Sequence, residues 1–415
     1  MTTLAGLRRR LYSVALLDEL GPLYAVYQLW FLDNGISAGQ LSSVFVIWAI
    51  VVLALEIPSG ALADLVDRRR LLAVGVVLRG VAVAVWLIWP SLTGMLIGAV
   101  LWAVQMSLAS GAWEALVHDQ LRARDADDRY ATVMARIGQS TNLGIVVAAA
   151  VAAVALQLGV GIEALGWITV ALHVVSVALV SSLPDVRWVQ RLPDGDAEDE
   201  EQEVDSDSAL AEWWRTLRAG LVEARSSRSI GRLLAFGAVL EGLFVFDEYV
   251  PVLARDRGVD DALVPVFVLV VWGGLLVGGE VAARRTELRG RTLGVTMAAG
   301  ALSIGAALLV REPWALLLVG LGYATLETTW VLSDARLQAR ISHRRRATVT
   351  SVRSFAAGIV EAIVFATIGF LAVGDDPTRG MLPMAVVLLL AGLVGARWIP
   401  DAGSTGGSSA TVRGS

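Results

Sequence analysis

Glu56-Ile57-Pro58-Ser59-Gly60-Ala61-Leu62-Ala63-Asp64-Leu65-Val66-Asp67-Arg68-Arg69-Arg70-Leu71-Leu72 is a short charged turn between two long apolar runs. Basic residues concentrate in the inner loops of membrane proteins, so three consecutive arginines between two apolar runs put this turn on the cytoplasmic side. The small residues just before it let two helices approach closely. One charged turn of this kind makes the flanking runs membrane spans.

Composition agrees. The chain has 415 residues, 56% of them hydrophobic and only 18% charged, whereas soluble domains carry about 25% charge. A spanning helix needs about 20 mostly apolar residues at a rise of about 1.5 Å each. Twelve such runs occur, near residues 11–31, 42–60, 71–89, 92–121, 133–156, 162–183, 231–253, 263–283, 292–310, 314–337, 348–371 and 381–399. The expected fold class is therefore an all-α polytopic membrane protein with 12 transmembrane helices.

The basic residues fix orientation and exclude several chemistries. All 34 are arginine, and no lysine occurs. A Walker A loop needs its lysine to reach nucleotide phosphates, and a Schiff base with pyridoxal phosphate needs one too. With no cysteine there is no disulfide and no thiolate site. The three histidines, His118, His173 and His343, are scattered, which is not the spacing of a metal cluster. No cofactor, metal or nucleic-acid partner is expected. Twenty-seven arginines fall in loops on one side, and only Arg255, Arg257, Arg311 and Arg379 fall on the other. Both termini are then cytoplasmic, in the cell inner membrane. Arg8 to Arg10 ahead of an apolar run imitate a secretory signal, but the run is too long and carries Asp18 and Glu19.

Four regions follow: a six-helix half over 1–183, a linker over 184–230, a second six-helix half over 231–400 and a tail over 401–415. The linker contains the acidic run Asp194 to Asp207, which cannot pack a core. It continues into Ala209 to Arg225, whose Leu210, Trp213, Trp214, Leu217, Leu221 and Val222 recur at helical spacing and suit the inner leaflet. The tail is rich in Gly, Ser and Thr and is expected to be disordered. The halves repeat each other. Leu121, Ala123, Arg124, Arg129, Ala131, Thr132 and Val133 match Leu337, Ala339, Arg340, Arg345, Ala347, Thr348 and Val349 at a constant offset of 216. The outer loops after the first span of each half also share a charged residue shortly before Gly35 or Gly258. This is duplicated architecture, two six-helix pseudo-repeats.

The intramembrane acids carry the chemistry. An ionised carboxylate at a helix centre costs about 2.5 to 3.5 kcal/mol on insertion scales and seldom faces lipid. Span 1 holds Asp18 and Glu19, span 4 Glu114 and Asp119, span 7 Glu241, Asp247 and Glu248, span 10 Glu327 and Asp334, and span 11 Glu361. By rise per residue, Asp18, Glu19, Glu241, Glu327 and Glu361 reach the midplane region. Asp18 and Glu19 are about 100° apart around a helix, so one of them is expected to point straight into a cavity. Pro22, one turn later, removes a backbone donor. Asp18, Glu19, Glu114, Glu241, Asp247, Glu327 and Glu361 are the candidate proton-coupling and cavity residues. Tyr24, Tyr27, Trp113, Phe244 and Trp330 are candidate substrate-stacking aromatics. Trp30, Trp86, Trp89, Trp314 and Trp398, near span ends, read as interfacial anchors.

The order Gly60, Leu62, Ala63, Asp64, Arg68, Arg69, Leu72 resembles the signature loop between helices 2 and 3 of the major facilitator superfamily, with Asp67 where a glycine is usual. That resemblance implies two parallel six-helix halves with a site between them and alternating access by rocking. It puts helices 1, 4, 7 and 10, where most of the acids lie, around the cavity. It makes Gly60, Asp64, Arg68, Arg69 and Asp119 a cytoplasmic gate in which Asp64 braces helix 11 and Arg68 pairs with Asp119. Glu56 and Glu280 are further gate candidates. It further implies a small-molecule substrate, protons as coupling ion, a monomer in the bilayer and no enzymatic activity.

Within the family, an acidic and aromatic cavity suits proton-coupled efflux of small amphipathic or cationic organic compounds by an antiporter. Two marks of efflux members are missing. Span 4 has Met106, Ser107 and Leu108 where an arginine is usual, and span 5 has Gly138 and Gly144 around Asn142 in place of a Gly-Pro pair. Proton-coupled uptake of a small solute, or a non-transporting membrane sensor, are the alternatives.

Overall fold

The computed structural model describes residues 3–186, 218, 227–341, 343–372 and 376–402, and of residues 56–65, 111 and 343–348 the backbone alone. The acidic run, the segment Ala209 to Arg225 apart from residue 218, and the Gly/Ser/Thr tail beyond 402 lie outside these residues, as do the side chains of Glu56 and Asp64.

The chain is helical because its apolar runs must satisfy every backbone polar group internally. The helices are α1 (Leu4–Glu19), α2 (Tyr27–Asp33), α3 (Ala38–Leu65), α4 (Arg68–Ile88), α5 (Leu92–Arg122), α6 (Tyr130–Gln157) and α7 (Ile162–Ser181), then α8 (Arg228–Gly242), α9 (Val250–Asp256), α10 (Val264–Arg284), α11 (Gly290–Leu309), α12 (Leu317–Gln338), α13 (His343–Leu371) and α14 (Thr378–Trp398). Among the described residues, eleven helical segments are long and apolar enough to cross a membrane. Their outer faces stay apolar: Phe370, Leu158 and Ile88 are 89%, 78% and 72% exposed, a surface suited to lipid.

The segment ahead of those eleven is not the continuous helix expected over 11–31. It is α1, a 3-10 turn over Pro22–Ala25, and α2. Pro22 lacks an N–H and clashes with a continuing helix, so α1 stops at Glu19. The Leu23 amide left over by the break donates to Thr169 Oγ1 on α7 at 3.2 Å. The run expected over 231–253 is interrupted in the same way, by a 3-10 segment over Phe244–Tyr249 between α8 and α9. Here Tyr323 on α12 stitches the break. Its hydroxyl accepts from the Asp247 amide at 2.7 Å and donates to the Phe244 carbonyl. Each break is therefore held by one hydroxyl from a neighbouring helix.

Both broken segments also end alike. Gly35 and Gly258 adopt φ of +81° and +75°, a left-handed conformation that glycine adopts without steric cost. The amides of Ile36 and Val259 reach back to the carbonyls of Phe31 and Ala254 at 3.1 Å in both cases. This is the hydrogen-bonded helix stop of the Schellman type, and the two copies stand 223 residues apart.

The contacts divide the chain into two compact units. One contains α1 to α7 together with Pro251–Leu269; the other contains α8, Val270–Leu371 and α14. In the first, Leu7, Leu11, Leu71, Leu116, Val117, Leu121 and Val180 build a core on which Trp113 packs. In the second, α11 and α14 touch along small residues. A Cβ on Gly294 would fall 2.1 Å from the Ala396 amide nitrogen, so the backbones meet directly.

The 216-residue repeat reappears as matching hydrogen bonds. Gln120 Nε2 donates to the Pro184 carbonyl at 2.7 Å, and Arg336 Nη1 donates to the Pro400 carbonyl at 2.8 Å. Arg124 and Arg340 each donate to the carbonyl four residues earlier, at 2.7 and 2.9 Å. Burial lowers the pKa of both loop guanidiniums. Trp86 is no interfacial anchor. It is 2% exposed, its indole N–H donates to the Met95 carbonyl, and its ring stacks on Tyr27 at 5.7 Å.

Candidate functional site: two buried arginines

In the first unit α4 carries Arg79 into the junction of α1, α5 and α7. Its Nη1 lies 3.0 Å from Asp18 Oδ2 and 3.0 Å from Glu19 Oε1, and Nη2 lies 3.2 Å from Glu19 Oε2. Asp18 and Glu19 thus converge on one cation. They sit where α1 ends, and a planar guanidinium can span two carboxylates in a fork. The side chain of Arg79 is 5% exposed, those of Asp18 and Glu19 28% and 25%.

Two aromatic rings, 5.0 Å apart, pack beside this cation. The Arg79 guanidinium carbon lies 4.6 Å from the Tyr24 ring centre and 4.9 Å from that of Trp102, within cation–π range. Tyr24 is held by the break at Pro22 and by His173, whose Nε2 lies 2.9 Å from its hydroxyl. Tyr27 lies in the adjoining ring cluster with Phe31, Phe45, Trp86 and Trp102.

In the second unit the central cation is Arg353 on α13. Its Nε lies 3.1 Å from Glu241 Oε2 at the end of α8, and its Nη1 contacts Asp334 Oδ1 on α12. Its guanidinium carbon is 5.8 Å from the Trp330 ring centre, and Trp330 meets Phe244 edge to face at 6.5 Å. Arg353 is 8% exposed at its side chain, Glu241 31% and Asp334 26%. Around this group lie further acids: Glu361 is in electrostatic reach of Glu241 and Glu248, and Asp247 of Glu248 and Glu361. Glu327 is half-buried on α12 where that helix meets Gly278 of α10.

The remaining candidates are placed as follows. Arg68 Nη1 lies 2.7 Å from Asp119 Oδ2, and Arg69 Nη1 donates to the Leu183 carbonyl at 2.9 Å. Asp67, the residue in place of the usual glycine, caps α4 by accepting from the Arg69 amide at 3.0 Å, a favoured N-cap role. Gly60 lies within α3. Glu114 is exposed, and Glu280 pairs with Arg284 one turn later at 2.5 Å, with both side chains more than half exposed. Such exposed pairs contribute about 0 to 1 kcal/mol. Among the described residues, no group of three or more His, Asp and Glu is arranged to hold a metal ion.

Sequence reasoning left Arg79 and Arg353 without roles, and overlooked Trp102, His173 and Asp334 as their neighbours. One signal was available. Asp18 and Glu241 stand 223 residues apart, the same interval as Gly35 and Gly258. It also missed Arg255, whose guanidinium joins Asp33 Oδ1 and Asp261 Oδ2, each at 2.5 Å, within the first unit.

Broken first helices, stacked apolar spans and charges buried in pairs define an integral membrane protein. The sequence matches the model of the Major Facilitator Superfamily over residues 11–365, and the chain belongs to that superfamily. A search of curated proteins gives no match. Among solved structures, the chain is similar to the nucleoside transporter NupG, with a TM-score of 0.73 at 12% identity, covering 94% of this chain and 98% of that one. It is similar to the peptide transporter POT in complex with sulfate, with a TM-score of 0.68 at 12% identity and coverage of 95% and 96%. It is also similar to the D-xylose-proton symporter, with a TM-score of 0.66 at 14% identity and coverage of 95% and 96%. Identities this low speak to the fold. The protein is thus a multi-pass transporter of a small molecule.

Proposed function

We propose that this chain is a proton-coupled exporter of small amphipathic organic cations, acting by alternating access in the cytoplasmic membrane with both termini inside. The single observation that carries this reading is the pair of buried arginines, each facing two carboxylates. Two carboxylates and one guanidinium sum to one negative charge, and an uncompensated charge away from water is costly. Each group is therefore short of one positive charge, which a proton or a cationic substrate supplies. In this reading Asp18 and Glu19 take the proton. Glu241, Asp334 and Glu361, with the rings of Phe244 and Trp330, take the cation, because that unit holds the surplus of acids. Arg68 with Asp119 acts at the cytoplasmic gate.

The test is accumulation of a fluorescent lipophilic cation in cells expressing the chain, with and without a protonophore. Reduced accumulation that the protonophore reverses is expected. No reduction, with the protein folded in the membrane, would remove cation export and bring uptake of a small solute forward.

A further inference from the structure

His173 lies on α7, in the membrane, and is 2% exposed. Its Nδ1 is 2.9 Å from the Thr169 carbonyl oxygen. A carbonyl oxygen only accepts, so Nδ1 carries a hydrogen, and in the neutral ring Nε2 is an acceptor. The hydroxyl 2.9 Å from Nε2 therefore donates, and the Tyr24 O–H points at His173. The Tyr24 oxygen keeps its lone pairs for Arg79, whose guanidinium carbon lies 4.6 Å from the ring centre. The same helix holds both ends of this arrangement, since Thr169 also takes the Leu23 amide freed at the break. Gly80 on α4 makes room for it: a Cβ there would stand 3.1 Å from the Cβ of His173.

From this geometry we infer that His173 is a positioning residue for proton coupling: through Tyr24, which packs with Trp102 beside Arg79, it clamps the guanidinium in place and so sets how readily Asp18 and Glu19 take up a proton. The inference rests on the reading of those two acids as the proton site. The charged groups acting on Asp18 are Arg79 and Glu19. Arg79 in turn faces Glu19, Asp18 and Tyr24, and His173 faces Arg79, Glu19 and the Thr169 carbonyl. On α6, the residue against Glu19 is Gly144, which brings no charge. Loosening the clamp weakens the hold of Arg79 on the carboxylates. A less stabilised carboxylate binds its proton at higher pH.

The experiment is infrared titration of carboxyl protonation in the full-length protein in lipid vesicles, with the Asp18/Glu19 signal isolated by subtracting the Asp18→Asn, Glu19→Gln double variant. His173→Leu and Tyr24→Phe should each move the midpoint in the alkaline direction by about half to one pH unit, a three- to tenfold gain in proton affinity. His173→Gln, which can still accept from Tyr24, should restore a midpoint close to that of the parent chain. Should His173→Leu not fold, Tyr24→Phe carries the test, since it deletes only the hydroxyl. An unmoved midpoint in Tyr24→Phe, or an equal shift in His173→Gln, overturns the inference. Failure of the underlying reading looks different: export by the parent chain would ignore the proton gradient while the titration stayed measurable.

Discussion

The groups around Arg79 and Arg353 share a composition and differ in setting. Each pairs one buried guanidinium with two carboxylates. Arg79 also packs beside two rings, Tyr24 and Trp102, and Tyr24 is fixed by His173. Arg353 has one ring at 5.8 Å and stands among additional acids. The first group is pre-organised and carries a single negative charge in excess. The second is looser and sits in a negative surround. Equal composition thus supports unequal roles: a fixed site suits a proton, which needs no room, and an acid-rich site beside aromatic rings suits an organic cation.

The comparison breaks most visibly if each arginine is removed. Arg79→Gln leaves two carboxylates buried and unpaired, and breaking a buried pair this way costs about 3 to 5 kcal/mol. We expect loss of folded protein, read as a large drop in thermal midpoint in detergent, and recovery when Asp18 and Glu19 are neutralised as well. Arg353→Gln should destabilise less, because it loses one ring contact rather than two, and should change affinity for cations. Equal destabilisation by both would argue that the two settings do not differ.

A second contrast concerns the acids of the second unit. Glu361→Gln and Asp334→Asn should weaken binding of a cationic probe by about tenfold, in line with removal of one charge partner near 1.4 kcal/mol. Binding should fall without loss of proton dependence in export. Unchanged binding in both variants would move the cation elsewhere. At the cytoplasmic end, Arg68→Ala should slow turnover several-fold without altering which cations are carried, and a changed range at normal rate would contradict a gate role. The smallest effect belongs to the cap of α4: Asp67→Ala should cost about 1 kcal/mol of stability, measured by thermal unfolding, with Asp67→Asn nearly silent.

Much of this was legible in the chain and some was not. The charged turn at Arg68 to Arg70 and the apolar runs were enough for the membrane fold, because lipid allows a spanning segment few alternatives to helix. The 216-residue repeat was visible as residues and returned as bonds, Gln120 to Pro184 and Arg336 to Pro400. The breaks in the first and seventh runs were half visible. Pro22 signals one, whereas the 3-10 segment at Phe244–Tyr249 has no proline within it and depends on Tyr323, which comes 74 residues after its end and leaves no local pattern. The partners of Arg79 were beyond sequence reasoning for the same reason. Asp18, Trp102 and His173 lie on three helices, and only tertiary packing decides which side chains face one cation.

The most direct test of the account compares gradient-driven export with substrate exchange in vesicles for Asp18→Asn, Glu19→Gln on one side and Glu241→Gln, Asp334→Asn on the other. We expect the first pair to abolish proton-driven export while exchange persists, and the second to impair both by weakening substrate binding. Intact proton-driven export in the first double variant, or normal exchange in the second, would contradict the division of labour between the two arginine groups.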